Sequence, residues 1–169
     1  MTTVEERFGA ASTPPGKTGA IDAMRFWFDE IERRAFRATR GLTDADVNAD
    51  PGHGAMTIGQ LLNHHNGLIR AAGETLKPGS MADLPAAEKP VSWNLEDLCK
   101  RRDALDDRLR AVFDTVPPDT LMEKRPDMKP DAWRDMPAFA RVIRFLNDMA
   151  HHTGQVIYAR RELGRPVDK

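Results

Sequence analysis

The 169-residue sequence predicts an all-α protein whose simplest architecture is a four-helix bundle. Three observations predict it. Four segments repeat apolar residues at three- and four-residue steps. No segment alternates with period two, as a half-buried strand would. Each segment is bounded by residues that start or stop helices.

The first segment runs from Thr18 to Gly41, with Ile21, Met24, Phe28, Ile31, Ala35 and Ala38 as its stripe. Gly41 supplies the stop, because a glycine accepts the left-handed conformation that ends many helices. The second starts with Thr57 as N-cap and runs to Leu76, before Lys77-Pro78-Gly79. Its apolar face is Ile58, Leu61, Leu62, Leu68, Ile69, Ala72 and Leu76. The third begins at Asn94, with Glu96 and Asp97 placed where acids suit the helix dipole, and reaches Val116. The fourth starts near Pro137 and ends at Gly164. Val142, Phe145, Met149, Val156, Ala159 and Leu163 form its stripe, and Arg160 and Arg161 sit in its last turn.

Residues 1–17 read as a flexible lead-in and 18–169 as one domain. The linkers 77–93 and 116–136 are long, and Pro117, Pro118, Pro126 and Pro130 exclude helix from most of the second. Trp93 and Trp133 are expected to pin these linkers to the helices. Long linkers permit a crossover, so a strict up-down order is not implied.

Charge excludes some functions. Lys plus Arg number 25 and Asp plus Glu 26, so the chain lacks the basic excess that phosphate neutralisation requires, and no nucleic-acid partner is expected. No apolar run spans a membrane and no secretory leader is visible, so a cytoplasmic location is expected. One cysteine, Cys99, excludes a disulfide framework and a cysteine-rich zinc site. Any metal site must use imidazole and carboxylate.

The five histidines are His53, His64, His65, His151 and His152. On the fourth helix Asp148 and His152 are four apart and share a face, whereas His151 points about 100° away. On the second helix His65 falls near the centre of the apolar arc and His64 toward its edge. Two readings stand. One histidine of the second helix joins Asp148 and His152 as a two-imidazole, one-carboxylate site for a divalent metal. Alternatively, Asp148 and His152 form a local pair and the other histidines pack. His53, in a Pro-Gly-His-Gly turn, reads as a loop residue.

Two stretches in fixed order add a resemblance. Met56-Thr57-Ile58-Gly59-Gln60-Leu61-Leu62-Asn63-His64 and the run from Asp148 through His152-Thr153-Gly154-Gln155-Val156-Ile157 to Leu163-Gly164 resemble the second- and last-helix motifs of the DinB-like superfamily. Gly41-Leu42-Thr43-Asp44-Ala45-Asp46-Val47 is similar to its link into the second helix. The resemblance implies a four-helix bundle with a long crossover between the second and third helices, and a homodimer. It implies metal ligands at His64, Asp148 and His152, with an aspartate where many members carry histidine. It implies a bound divalent ion, Zn or Ni first and Mn or Fe next.

Such relatives include bacillithiol S-transferases and mycothiol-dependent maleylpyruvate isomerase. A small-molecule thiol cofactor, a small-molecule substrate and transferase or isomerase chemistry are therefore expected. Cys99 is then a core or boundary residue rather than a nucleophile. Gln155 is expected to orient a ligand, Arg160 to meet an anionic cofactor, and Gly154 to permit close helix packing. The competing expectation is a non-enzymatic stress or ligand-binding protein with a structural site.

Overall fold

The computed structural model describes residues 19–85, 90–124 and 134–167, and these are all-helical. The lead-in 1–17, Pro126, Pro130 and Trp133 lie outside the described residues. Helix α1 spans Ala20–Thr39, α2 Asp44–Asn48, α3 Ile58–Leu76, α4 Leu95–Thr115 and α5 Ala138–Glu162. A 3-10 turn, Pro118–Met122, follows α4.

Local chemistry fixes the ends. Thr57 and Gln60 form a reciprocal capping box at α3, each side chain bonding the other's backbone N–H. Asn94 accepts from the Asp97 N–H at the start of α4. Gly41 and Gly164 have φ of 69° just beyond α1 and α5, where a side chain would be strained. Two short elements escaped the helix-scale pattern. The α2 turn sits in the expected link and is held by a second capping box, Thr43 with Asp46. The 3-10 turn begins at Pro118, which tolerates a helix start but not a helix interior.

Helix directions follow from named contacts. Arg110 pairs with Asp29 and Arg102 bonds Thr39, so α4 runs antiparallel to α1. Asn66 donates to the Leu98 carbonyl and Arg101 to Asn63, near the start of α4. Arg108, two turns on, reaches Ser80 beyond the end of α3. Helices α3 and α4 therefore run the same way, and the chain between them must travel their length. Residues 77–85 of that connection are clamped: Met81 is fully buried, Glu74 accepts from Gly79 and Met81, and Arg70 donates to the Met81 and Leu84 carbonyls. Trp93 bonds Asn48 through its backbone and covers Gly59, where an added Cβ would meet the indole at 2.3 Å. It pins the linker, as expected.

Two apolar clusters fill the interior. The larger gathers Met24, Phe28, Ile69, Leu105, Leu109, Phe113, Leu146 and Met149. The smaller, around Val47, Ile58, Leu61, Leu62, Leu98 and Val156, backs the end of the molecule where α2 enters α3. No helix of the described residues is long and apolar enough to cross a membrane.

Candidate metal centre

Helices α3 and α5 pack closely, and their facing histidines meet near mid-length. The apolar residues Leu61 and Leu68 on α3, and Phe145, Met149 and Val156 on α5, set the helix rotation. His64, Asp148 and His152 then project from the edges of the two stripes. His64 Nε2 lies 3.5 Å from Asp148 Oδ2, and His152 Nε2 lies 3.3 Å from Asp148 Oδ1. The two imidazole rings are 4.6 Å apart and nearly perpendicular. One ligand atom from each residue falls within 4.8 Å of the other two, so the group could hold a metal ion.

The donor set fits a divalent ion. Ligand distances of roughly 2.0–2.1 Å place neighbouring tetrahedral ligands about 3.3–3.4 Å apart. The two nitrogen–oxygen separations are near that spacing, each to a different oxygen of the Asp148 carboxylate. Both imidazoles present Nε2. His152 Nδ1–H donates to Gln155 Oε1 at 2.6 Å, which fixes the tautomer and leaves the Nε2 lone pair facing the group. Burial pushes the His152 pKa below its ordinary value. The Gln155 bond and the Asp148 charge oppose this, while His64 and His151 add to it. The ring is therefore neutral and ligand-ready at neutral pH.

One opening borders the group directly, and another meets it only through Gln155. In the first, His64 and Asp148 line a groove of about 500 Å³ with Arg144, Asn147 and His151. In the second, Gln155 lines a cleft of about 510 Å³ with His53, Met56 and Tyr158.

The adjacent histidine has a different fate. His65 is 3% exposed and its Nε2–H donates to Glu32 Oε1 at 2.5 Å. Glu32 is fully buried, and Arg102 lies 3.9 Å from its second oxygen. Burial raises the Glu32 pKa, but the charge and hydrogen bond of His65, with the charges of Arg102 and Arg110, outweigh it and hold the carboxyl below its usual range. Sequence reasoning missed Glu32. The signal was present: it lies four residues after Phe28, on the apolar stripe of α1, where a carboxylate needs a partner.

Other residues fall as follows. His151 is exposed on the outer face, and Cys99 is half-buried on α4. Gly154 corrects an expectation: it is exposed and a Cβ there meets nothing, so no helix packs against it. Arg160 is buried, and its guanidinium donates to the carbonyls of Ala38, Arg40 and Arg165. It ties α5 to the C-terminus of α1, and the helix-end reading of this basic turn describes it better than contact with an anionic cofactor.

An all-helical protein with an imidazole–carboxylate group between two helices is the class that fold and site define. The chain belongs to the DinB superfamily, whose family model matches residues 28–156. It is similar to a solved structure described as the crystal structure of the conserved protein of locus from Enterococcus faecalis. That similarity has 16% identity and a TM-score of 0.64, and covers 88% of this chain and 99% of that one, which shows a shared fold. No curated protein matches the chain.

Proposed function

We propose that this protein is a cytoplasmic, homodimeric four-helix bundle that binds one divalent metal through His64 Nε2, Asp148 and His152 Nε2. We propose that it catalyses thiol S-transfer or isomerisation with a small-molecule thiol. The observation that carries the reading is the convergence of three ligand atoms from two helices, with Gln155 bonded behind one of them. Membership of the DinB superfamily supports it.

A bound divalent ion supplies a Lewis acid that stabilises a coordinated thiol as thiolate. The chain's own residues do the rest. Gln155 holds the His152 ring in orientation and tautomer. The Asp148 carboxylate supplies the negative charge that two neutral imidazoles lack. The groove past Arg144 and Asn147 admits a ligand to the exposed His64–Asp148 edge. In S-transfer the thiol proton leaves to solvent, sulfur bonds to an electrophilic carbon, and the leaving group departs with its bonding pair. No protein thiol is required, which suits the half-buried Cys99.

A panel of low-molecular-weight thiols with chlorodinitrobenzene tests the activity on metal-loaded protein. Turnover that His152→Ala and chelator both abolish supports the reading. Absence of turnover with every thiol and metal overturns the catalytic part. A second reading, a binding protein without turnover, is favoured by Asp148 contacting both imidazoles, the geometry of a structural hydrogen-bonded cluster. It predicts that chelator leaves unfolding stability unchanged.

A further inference from the structure

The loop before α3 has a backbone that its sequence makes costly. Gly52, His53 and Gly54 all take positive φ, at 84°, 56° and 69°. Glycine accepts this readily, whereas histidine does so at some strain. The turn is held by Gly52 N–H donating to Asp50 and Ala55 N–H donating to the Gly52 carbonyl. It therefore stands as a built wall facing the last turns of α5, and His53 lines the space between.

That space is a cleft of about 510 Å³, within the range of small-molecule sites. Met56, Leu61 and Ala159 give it apolar sides, and His53, Gln155 and Tyr158 give it three polar groups. No Asp, Glu, Lys or Arg side chain lines it among the described residues. A charged ligand here would find no counter-charge among the lining side chains, whereas an uncharged one needs none. The groove that borders the triad directly differs, since it carries Arg144, Asp148 and His151. Gln155 links the cleft wall to the triad, because its carbonyl oxygen accepts from His152.

We propose that the cleft between the His53 loop and α5 binds an uncharged, largely apolar organic molecule and presents it beside the His64–Asp148–His152 group. Met56, Leu61 and Ala159 hold its apolar body, while His53 and Tyr158 hydrogen-bond a hydroxyl or carbonyl on it. That this molecule is the electrophilic substrate rests on the function proposed above. Binding itself does not, because no lining residue needs a metal.

Tyr158 is the only tyrosine in the chain, so tyrosine-selective isotope labelling gives one ring signal at the cleft. Three probes of one size and different charge are titrated: naphthol, naphthoate and naphthylmethylammonium. Full-length protein is used both metal-free and zinc-loaded. The expected result is a saturable Tyr158 shift with naphthol, and at least tenfold weaker responses with the two ions. Met56→Trp, at a half-exposed position that tolerates a larger side chain, fills the cleft and abolishes the naphthol shift while the unfolding midpoint stays put. Equal responses to all three probes, no response to naphthol, or a response that survives Met56→Trp overturns the proposal. If zinc fails to bind but naphthol still moves Tyr158, the cleft stands and the metal reading falls. If zinc binds and naphthol moves nothing, the reverse holds.

Discussion

His64 and His65 are neighbours in sequence, and each faces a carboxylate from another helix. The resemblance ends there. His65 and Glu32 are sealed in the interior at 2.5 Å. His64 and Asp148, each with a side chain nearly half exposed, stand 3.5 Å apart with a second imidazole beside them. A void of only about 10 Å³, lined by both His65 and His152, lies between the two groups. Burial separates their roles. A desolvated hydrogen-bonded pair is costly to break and closed to ligands, whereas an exposed pair gains little from its own contact and leaves its donor atoms open to an incoming cation.

The largest effect breaks the closed pair. His65→Leu removes the hydrogen-bond partner of the buried Glu32 carboxylate and leaves it only the charges of Arg102 and Arg110, and a loss of about 3–5 kcal/mol is expected in denaturant unfolding. Metal affinity in the folded fraction should change little. The open group gives the opposite pattern. His152→Ala and His64→Ala should each lower zinc affinity at least about 100-fold by calorimetry, since they remove a ligand rather than its support. The exposed His64 should cost no more than about 0.5 kcal/mol of stability when replaced.

Gln155→Leu sharpens the comparison by removing only support. With His152 Nδ1 unpartnered, zinc affinity should fall about 10- to 100-fold, less than for loss of the ligand itself. His151→Ala, whose exposed ring touches His152 from outside, should leave both zinc affinity and stability nearly unchanged.

Acid titration divides the two groups again. Glu32 has a folded pKa below its unfolded value of about 4.3. As pH falls the unfolded chain takes the proton first. The stability this group contributes is thus present above that value and lost as pH drops through the folded one. His152, also lowered, remains neutral until pH falls below the ordinary imidazole value of about 6.5, and zinc affinity should decline only below it. Unfolding midpoints and zinc titrations across pH 3–8 should therefore show two separate acid limbs.

The open group was legible because its parts are local. Asp148 and His152 share a face by spacing alone, and the stretch around His64 carries its own motif. Choosing His64 over the more central His65 needed the family resemblance, since periodicity favours burial and burial went to the structural histidine. Arg160 was not legible, because its carbonyl partners at Ala38 and Arg40 lie at the end of α1, 120 or more residues away. The His53 cleft was not legible either. It depends on three consecutive positive φ angles in a loop and on where that loop docks, neither of which leaves a periodic trace.

On the proposed function, the open group and not the buried one holds a metal ion. Elemental analysis of untagged protein, prepared without chelator and offered Zn, Ni, Mn and Fe in turn, tests it most directly. About one divalent ion per chain is expected for the wild type and for any folded His65→Leu protein, and close to none for His152→Ala. A wild type that stays empty with every metal, or a His152→Ala variant that keeps its full complement, would contradict it.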